Sequence, residues 1–230
     1  MATDKKLNSP DVWIIIPSYN VGDYLGNVLQ KTKQYIPEHN IVVVDDGSED
    51  GTVDIARQHN VVILSNPNNM GKGFALKTGI GYIIERKPQW VITMDGDGQH
   101  DPEILQAFIS RATEDIEDII IGERRRHGGM PWDRRFSNYS TSKLLSIVTG
   151  VSIKDAQCGY RLIRGSFIDV RNLKSNNYDF ETECLLQWAN KKARFGWLPV
   201  PTIYSGAPSS MNRVRDTFRF LRVVFKDIFS

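Results

Sequence analysis

Features that define several other protein classes are scarce or absent in this sequence. Only two of its 230 residues are cysteines, Cys158 and Cys184, which gives neither a disulfide framework nor a metal-ligand spacing. The first residues, Met-Ala-Thr-Asp-Lys-Lys, lack the apolar core of a signal peptide. No run approaches the ~20 apolar residues that a membrane-spanning helix needs. We therefore expect a cytoplasmic protein without a membrane span.

The net charge is small, and two common nucleotide-binding motifs are absent. The formal net charge is only +2, so we expect no nucleic-acid partner. Lys72 lies between Gly71 and Gly73, but the spacing is not that of an NTPase phosphate loop. No Gly-x-Gly-x-x-Gly follows the first apolar run, which argues against dinucleotide binding. The size and the 40% apolar content fit one globular domain.

Short apolar runs alternate with helix-like stretches through the first half of the chain. The runs predict buried strands at 12–16, 41–44, 61–64, 90–94 and 119–121. Apolar residues at helical spacing occupy the intervals, and Asp101-Pro102 has the composition of a helix start. Uniformly apolar strands between helices predict an α/β fold whose parallel sheet is covered on both faces.

A polar cluster follows each predicted strand. Ligands of such sheets bind beyond the carboxyl ends of the strands, so these clusters predict one site. The clusters are Pro17–Asn20, Asp45–Ser48, Asn69–Gly73, Asp95–His100 and Arg124–Arg126.

Asp95 and Asp97 form the cluster with the clearest chemistry. Side chains alternate along extended backbone, so two carboxylates two residues apart are expected to point the same way. Such a pair suits a divalent cation that also holds a diphosphate. In isolation, an Asp-x-Asp triplet is more typical of a surface turn whose aspartates are solvated.

The other clusters each allow a functional and a structural interpretation. Tyr19 can stack on a flat ring or pack under its turn. Asp45 and Asp46 can bind a base or ribose, or form the turn that follows them. Lys72, before a helix, can meet an anion. The five arginines between Gly122 and Arg135 lie in a stretch of loop-like composition, which is a phosphate clamp or a solvated face.

The second half of the chain is less regular. Asp155 precedes a tight glycine turn and an apolar run in Asp155-Ala-Gln-Cys-Gly-Tyr-Arg-Leu-Ile163. Glu181 and Glu183 lie in the first turns of a predicted helix, where acids are favoured by the helix dipole and need no catalytic role. Near the end, apolar residues at helical spacing alternate with arginines. This basic amphipathic helix either lies in a membrane interface or packs on the domain or a partner.

Taken together, the motifs resemble those of family 2 glycosyltransferases, and more narrowly the polyprenyl-phosphate sugar synthases such as dolichyl-phosphate mannose and glucose synthases. They occur in the family's order and span about residues 12 to 215. The matching segments are Pro17–Asn20, Asp45–Thr52, Asn69–Gly73, Met94–His100, Gly122–Arg124, Asp155–Arg161 and Tyr178–Glu183.

The resemblance implies a single A-type glycosyltransferase domain, Rossmann-like with a mostly parallel sheet, over residues 1–211, followed by the amphipathic helix at 212–230. It also implies a role for each matching side chain. Nucleoside contacts would come from Pro17, Tyr19 and either Asp45 or Asp46. Mg²⁺ or Mn²⁺ would be held by Asp95, Asp97 and Gln99. Phosphate would be engaged by Arg124 together with Arg134 or Arg135.

The implied reaction moves a hexose from a donor of the UDP-glucose or GDP-mannose type to a polyprenyl phosphate, with inversion, at the cytoplasmic face of a membrane. A lipid phosphate is already anionic and needs no general base. A saccharide or small-molecule hydroxyl acceptor would need one, for which Asp155 is the candidate. A catalytically silent scaffold that binds a nucleotide sugar or a membrane is the alternative from another class. Whether the chain forms a homo-oligomer stays open.

Overall fold

The computed structural model describes residues 10–124, 132–201, 203 and 213–228, apart from the side chains of residues 132–134 and 213–214. The strands are β1 (Val12–Ser18), β2 (Ile41–Asp45), β3 (Val62–Ser65), β4 (Trp90–Thr93), β5 (Ile119–Arg124), β6 (Arg161–Arg164) and β7 (Phe195–Val200). The α-helices are α1 (Gly22–Thr32), α2 (Thr52–Gln58), α3 (Lys72–Ile84), α4 (Leu105–Glu114), α5 (Trp132–Thr149), α6 (Asp179–Asn190) and α7 (Arg213–Ile228). All five predicted strands are present, so the α/β prediction is confirmed.

The strands form one sheet in the order β3-β2-β1-β4-β6-β5-β7. Every described strand except β6 runs in the same direction, and β6 is antiparallel to both β4 and β5. The mostly parallel sheet is therefore confirmed, whereas an entirely parallel one is not. The reversed strand carries only two apolar residues, Leu162 and Ile163, between two arginines, too few to give a strand signal in the sequence.

The reversed strand determines what reaches the carboxyl edge of the sheet. Arg161, the first residue of β6, is paired with Thr93 at the end of β4 and with Ile121 in β5. Because β6 starts at the edge where β4 and β5 end, the preceding residues 155–160 are delivered to that edge. The topology thus brings Asp155 and Gly159 beside the predicted site.

The central strands are buried on both faces. Residues 14–16 of β1 and 41–44 of β2 have no exposed surface, as expected where helices cover both sides of a sheet. Helix α3 packs closely there, since a Cβ on Gly79 would lie 2.6 Å from Ile15 Cγ2. Close packing of α3 on the sheet fixes the position of its first residue, Lys72.

Two predicted boundaries differ from the structure. Pro17 was expected to end β1, but the strand continues to Ser18. Pairing of β1 with β4 stops at Ile15, so a proline two residues later interrupts no bond of that ladder. The loop predicted between Gly122 and Arg135 was wrong at both ends, because β5 pairs with β7 as far as Arg124 and α5 begins at Trp132. Residues 125–131, including two arginines of the predicted clamp, lie outside the described residues.

Helix α7 packs against α5 and α6 through one face and leaves another uncovered. Val224 is buried, whereas Phe218 and Phe225 are 70% and 55% exposed. Within the part of the chain that the structure describes, no helix has both the length and the apolar character needed to cross a bilayer. The expected boundary at residues 211 and 212 lies outside the described residues, and that division of the chain stays a prediction.

A buried carboxylate ties β5, β6 and β7 together at the end opposite the predicted site. Asp118 Oδ1 accepts hydrogen bonds from Arg164 Nε at 2.9 Å and Arg194 Nη2 at 2.8 Å, and Oδ2 accepts from Arg194 Nε at 3.0 Å. The hydrogen bonds from Arg194 lower the pKa of Asp118 to about 2, with burial opposing them. Asp118 therefore stabilises the fold as an anion.

We predict that Asp118→Asn lowers the free energy of unfolding at pH 7 by about 1–2 kcal/mol, since one pKa unit corresponds to ~1.4 kcal/mol and Arg194 is partly solvated. The folded-state pKa is depressed, so this contribution is complete above pH ~4 and is lost as the pH falls toward about 2. Urea unfolding at pH 7 and at pH 2.5 measures it, with the exposed Asp54→Asn as control. A difference that does not shrink at the lower pH would contradict the assignment.

Candidate functional site

Three charged side chains from separate elements converge at the carboxyl edge of the sheet. Lys72 begins α3, Asp95 lies two residues beyond β4, and Glu181 is in the first turn of α6. Lys72 Nζ lies 2.7 Å from Asp95 Oδ1 and 3.1 Å from Glu181 Oε1. Burial alone would lower the pKa of Lys72, but the two carboxylates outweigh it and hold that pKa above its ordinary value. The site therefore contains a partly buried ammonium ion between two carboxylates.

Glu181 is the functional candidate that the sequence analysis missed. The helix dipole alone justifies an acidic residue in the first turn of α6, so the sequence offered no reason to expect a contact between Glu181 and Lys72. The side chain is buried and faces the cluster. The sequence signal for Glu181 is the segment Tyr178–Glu183, which matches a family motif and includes Glu181.

Asp97 lies beside Asp95, but not for the expected reason. Strand β4 ends at Thr93, and both aspartates occupy the turn that follows, so strand alternation does not orient them. Asp97 Oδ1 accepts a hydrogen bond from the Gln99 amide at 3.0 Å, which holds the turn. Burial and then the charge of Asp95 raise the pKa of Asp97, whereas Lys72 outweighs burial to lower the pKa of Asp95. The charge of Asp95 therefore acts on Asp97, and the two carboxylates are shifted in opposite directions.

A metal ion at this edge would need ligands beyond the protein's own acids. Among the residues whose positions are described, no group of three or more histidine, cysteine, aspartate or glutamate side chains has the arrangement of a complete metal site. His100 does not serve as an additional charged group. Its Nδ1 accepts a hydrogen bond from the Asp95 amide at 3.2 Å, and burial lowers its pKa to about 4. His100 is therefore neutral at pH 7 and supports the turn.

A second ion pair lies where β5 ends. Arg124 Nε and Nη2 donate to Asp155 Oδ2 and Oδ1 at 2.8 and 2.9 Å, a bidentate geometry. Asn138 of α5 also donates to Asp155 Oδ1 at 2.9 Å. Burial would raise the pKa of Asp155, but Arg124 outweighs it and the pKa is lowered. A carboxylate held in this way orients its arginine and is a poor proton acceptor at neutral pH.

The two predicted aspartates after β2 are both buried and hold different turns. Asp45 accepts a hydrogen bond from the Ser48 amide at 3.2 Å. Asp46 accepts from Asn66 Nδ2 at 2.7 Å, from the Met70 amide at 3.1 Å and from the Gly71 amide at 2.7 Å. Asp46 thereby fixes the loop that leads into Lys72. Contact of either aspartate with a nucleoside stays a prediction.

The remaining predicted residues lie at the same edge with different degrees of exposure. Pro17 is inside β1, and Tyr19 follows that strand with its ring 39% exposed. Gln99 is half-buried in the turn after Asp97, and Arg135 is exposed near the start of α5. The side chain of Arg134 lies outside the described residues. The structure therefore brings the described residues of all five polar clusters to one edge, with the aspartates after β4 nearest the centre of the sheet.

Gly159 provides the space in which the first ion cluster forms. A Cβ at this position would lie 2.8 Å from Lys72 Nζ, 3.0 Å from Glu181 Oε1 and 3.1 Å from Asp95 Oδ2. Real Cβ atoms essentially never approach another atom as closely as 2.8 Å, and the other two contacts are tight, so a side chain here displaces Lys72 Nζ and crowds both carboxylates. The glycine of the segment Gln-Cys-Gly-Tyr-Arg is thus required by three charged neighbours.

Comparison with known proteins agrees with this arrangement. The model of glycosyl transferase family 2 matches residues 13–171. The undecaprenyl-phosphate mannosyltransferase of Micrococcus luteus is 30% identical, covering 82% of this chain and 82% of its own length. The UDP-N-acetylglucosamine–dolichyl-phosphate N-acetylglucosaminyltransferase of Methanococcus voltae is 27% identical, covering 84% and 86%.

A solved structure supports the fold. Glucosyl-3-phosphoglycerate synthase of Mycobacterium tuberculosis, crystallised with Mn²⁺, UDP and glucosyl-3-phosphoglycerate, matches with a TM-score of 0.74. The alignment covers 95% of this chain and 80% of that chain at 14% sequence identity. At this identity the similarity shows the shared A-type glycosyltransferase fold and carries nothing about substrates.

We predict that Gly159→Ala leaves the protein folded but releases Lys72 from its carboxylates, because the atoms it meets are the ends of movable side chains. Acetylation of Lys72 by a water-soluble reagent, followed by mass spectrometry, should accelerate about tenfold, the effect of one pKa unit. Gly81→Ala, where a Cβ meets nothing within 4 Å, is the matched control. Equal acetylation rates in all three proteins would contradict the proposed packing.

Proposed function

The chain belongs to glycosyl transferase family 2, and on this basis we propose that it transfers a hexose from a nucleoside-diphosphate sugar to a polyprenyl phosphate. The proposal is supported by relatives named for undecaprenyl-phosphate and dolichyl-phosphate transfer, which the chain matches over most of their length. The observation that carries it is the Asp95–Asp97 turn at the carboxyl edge of the sheet, beside the Lys72 ammonium and the oriented Arg124.

The acidic cluster fits a divalent cation. The carboxylates of Asp95 and Glu181 both pair with the Lys72 ammonium, and the pKa of the neighbouring Asp97 is raised by burial and by the charge of Asp95. Excess negative charge of this kind is relieved by a hard cation, which takes carboxylate oxygens and retains positions for phosphates. We assign Mg²⁺ or Mn²⁺ to Asp95, Asp97 and Gln99. When bound, the ion offsets charge that builds on the leaving diphosphate.

The nucleoside is assigned to the ends of β1 and β2. Tyr19 presents a partly exposed ring after β1, which suits stacking on a base, and Pro17 stiffens the strand end beside it. Asp46 already accepts three hydrogen bonds from the loop before α3, whereas Asp45 accepts from one amide. A carboxylate offers about four acceptor positions, so Asp45 has more capacity left for a base or ribose.

The arginine side of the site fits an anionic acceptor. Arg124 is held by Asp155 in a bidentate pair, which aims its guanidinium without a proton transfer. Arg135 on α5 is exposed and available for a second phosphate contact. A phosphate acceptor is ionised at pH 7 and requires no general base. Because Asp155 is committed to Arg124, this arrangement favours a lipid phosphate over a hydroxyl acceptor.

Membrane contact is assigned to the uncovered face of α7 and the neighbouring face of α5. Phe218, Phe225 and Ile228 are exposed on α7, and Phe136 and Ile147 are exposed on α5. Exposed basic side chains accompany them, including those of Arg222, Lys226 and Lys143. Aromatic and aliphatic side chains edged by cations suit the surface of an anionic bilayer, with ~1 kcal/mol from each basic residue near the headgroups. We therefore propose a peripheral enzyme at a membrane surface.

The function is tested by release of nucleoside diphosphate from UDP-glucose, UDP-N-acetylglucosamine or GDP-mannose with Mn²⁺, with and without a short polyprenyl phosphate. We expect release that requires one donor, the metal and the lipid phosphate. Asp97→Asn should reduce the rate about 100-fold, since charge neutralisation at the leaving group is typically worth that much or more. Asp54→Asn is the surface control.

Other outcomes of this assay would redirect the assignment. Release that ignores the lipid but responds to a sugar hydroxyl would indicate the hydroxyl-acceptor reaction and return Asp155 to the role of general base. Silence with every donor, together with metal-dependent donor binding in calorimetry, would indicate a catalytically silent scaffold.

Membrane contact is tested with the paired change Phe218→Ser and Phe225→Ser, which removes two exposed aromatic rings without touching the buried face of α7. We expect the fraction sedimenting with vesicles containing phosphatidylglycerol to fall about tenfold or more. Burial of each ring in the bilayer contributes ~1 kcal/mol or more to the free energy of binding. Turnover of a water-soluble short-chain acceptor should persist. The control pair is Ile84→Ser and Ile116→Ser, two exposed apolar residues that lie on neither α5 nor α7. Unchanged sedimentation would contradict the assignment.

A further inference from the structure

Lys72 and a divalent cation compete for the same carboxylate. Lys72 Nζ lies 2.7 Å from Asp95 Oδ1, and Asp95 is also one of the two carboxylates assigned to the metal. Hard cations bind carboxylate oxygens at ~2.0–2.2 Å, so an ion on Asp95 would come close to the ammonium. Two positive charges on one partly buried carboxylate repel each other. Metal binding therefore favours displacement of the ammonium from Asp95.

Glu181 is placed to receive it. Glu181 belongs to α6, and its Oε1 already lies 3.1 Å from Lys72 Nζ. The Glu181 side chain is 9% exposed, so the ion pair it offers is shielded from water. The adjacent Gly159 carries no side chain to obstruct a small movement between the two carboxylates. Lys72 can therefore leave Asp95 without losing its counter-ion or entering solvent.

We propose that Glu181 is a positioning residue for metal loading, which takes over the Lys72 ammonium when a divalent cation binds Asp95 and Asp97. The inference rests on the proposed metal-dependent donor site. Before loading, Lys72 keeps Asp95 paired and the acidic cluster partly neutral. After loading, Lys72 is held by Glu181 at the margin of the diphosphate position, where it adds a second positive charge.

This arrangement predicts opposite effects for the two partners of one ion pair. Lys72→Gln removes the competitor and should tighten Mn²⁺ binding by about fivefold or more, the lower range of coupling between interacting sites. Glu181→Gln leaves the ammonium on Asp95 and should weaken Mn²⁺ binding by about fivefold or more on the same scale. If Glu181 acts through Lys72, its effect should shrink to about twofold or less when Lys72 is already Gln.

The experiment is a double-mutant cycle of Mn²⁺ dissociation constants, measured by electron paramagnetic resonance on the full chain, alone and with UDP or GDP. Glu183→Gln is the matched control. It lies on the same helix and loses the same charge, but its carboxylate binds the Lys174 and Ser175 amides. Its Mn²⁺ affinity should stay within about twofold of the wild type, the usual additivity of independent sites.

The outcomes separate this inference from the proposed function. Mn²⁺ binding by the wild type, with equal effects of Glu181→Gln in both backgrounds, would overturn the inference and leave the metal assignment intact. Absence of Mn²⁺ binding under both conditions would overturn the two together. Should Glu181→Gln fail to fold, Lys72→Gln still decides, because an unchanged or weaker Mn²⁺ affinity in that variant contradicts competition at Asp95.

Discussion

The ion pairs of Lys72 with Asp95 and Glu181 are the interaction on which the candidate site depends. A partly buried ammonium is favoured when its charge is compensated, so this lysine helps to fix the relative positions of the elements that supply its partners. It joins the start of α3, the turn after β4 and the first turn of α6. The same requirement explains Gly159, which must present backbone alone to three charged groups. The Lys72 ammonium thus accounts for residues from four separate motifs.

A second ion pair gives the site its polarity. Arg124 is the last residue of β5, and Asp155 begins the segment that leads into β6. Asn138 of α5 donates a hydrogen bond to Asp155 and so helps to hold the pair. The acidic turn on one side suits a metal-bound diphosphate, whereas the oriented guanidinium on the other suits an anion. The antiparallel course of β6 makes this division possible, because it brings the residues before Arg161 between the two parallel strand ends. The sheet topology therefore brings the acidic turn and the oriented guanidinium to the same edge of the sheet.

The sequence predicted those parts of the fold that depend on local pattern. Continuous apolar runs identified β1 to β5, and polar residues after them identified the edge at which the site lies. Contacts between distant segments were not accessible in this way. The role of Glu181 was hidden because a helix dipole explains an acid at that position equally well. The geometry of Asp97 was misjudged because β4 ends one residue earlier than its apolar run suggests. Strand β6 was missed because two apolar residues are too few for a periodicity.

The central claim is that the Asp95–Asp97 turn binds the donor diphosphate through a divalent cation. The most direct test is a crystal structure of the protein with Mn²⁺ and the donor that supports turnover, using anomalous scattering to locate the metal. We predict one Mn²⁺ that contacts a carboxylate oxygen of Asp97 and oxygens of the diphosphate, with the base near Tyr19. An Mn²⁺ site away from both aspartates, or a diphosphate bound elsewhere on the sheet edge, would contradict the claim.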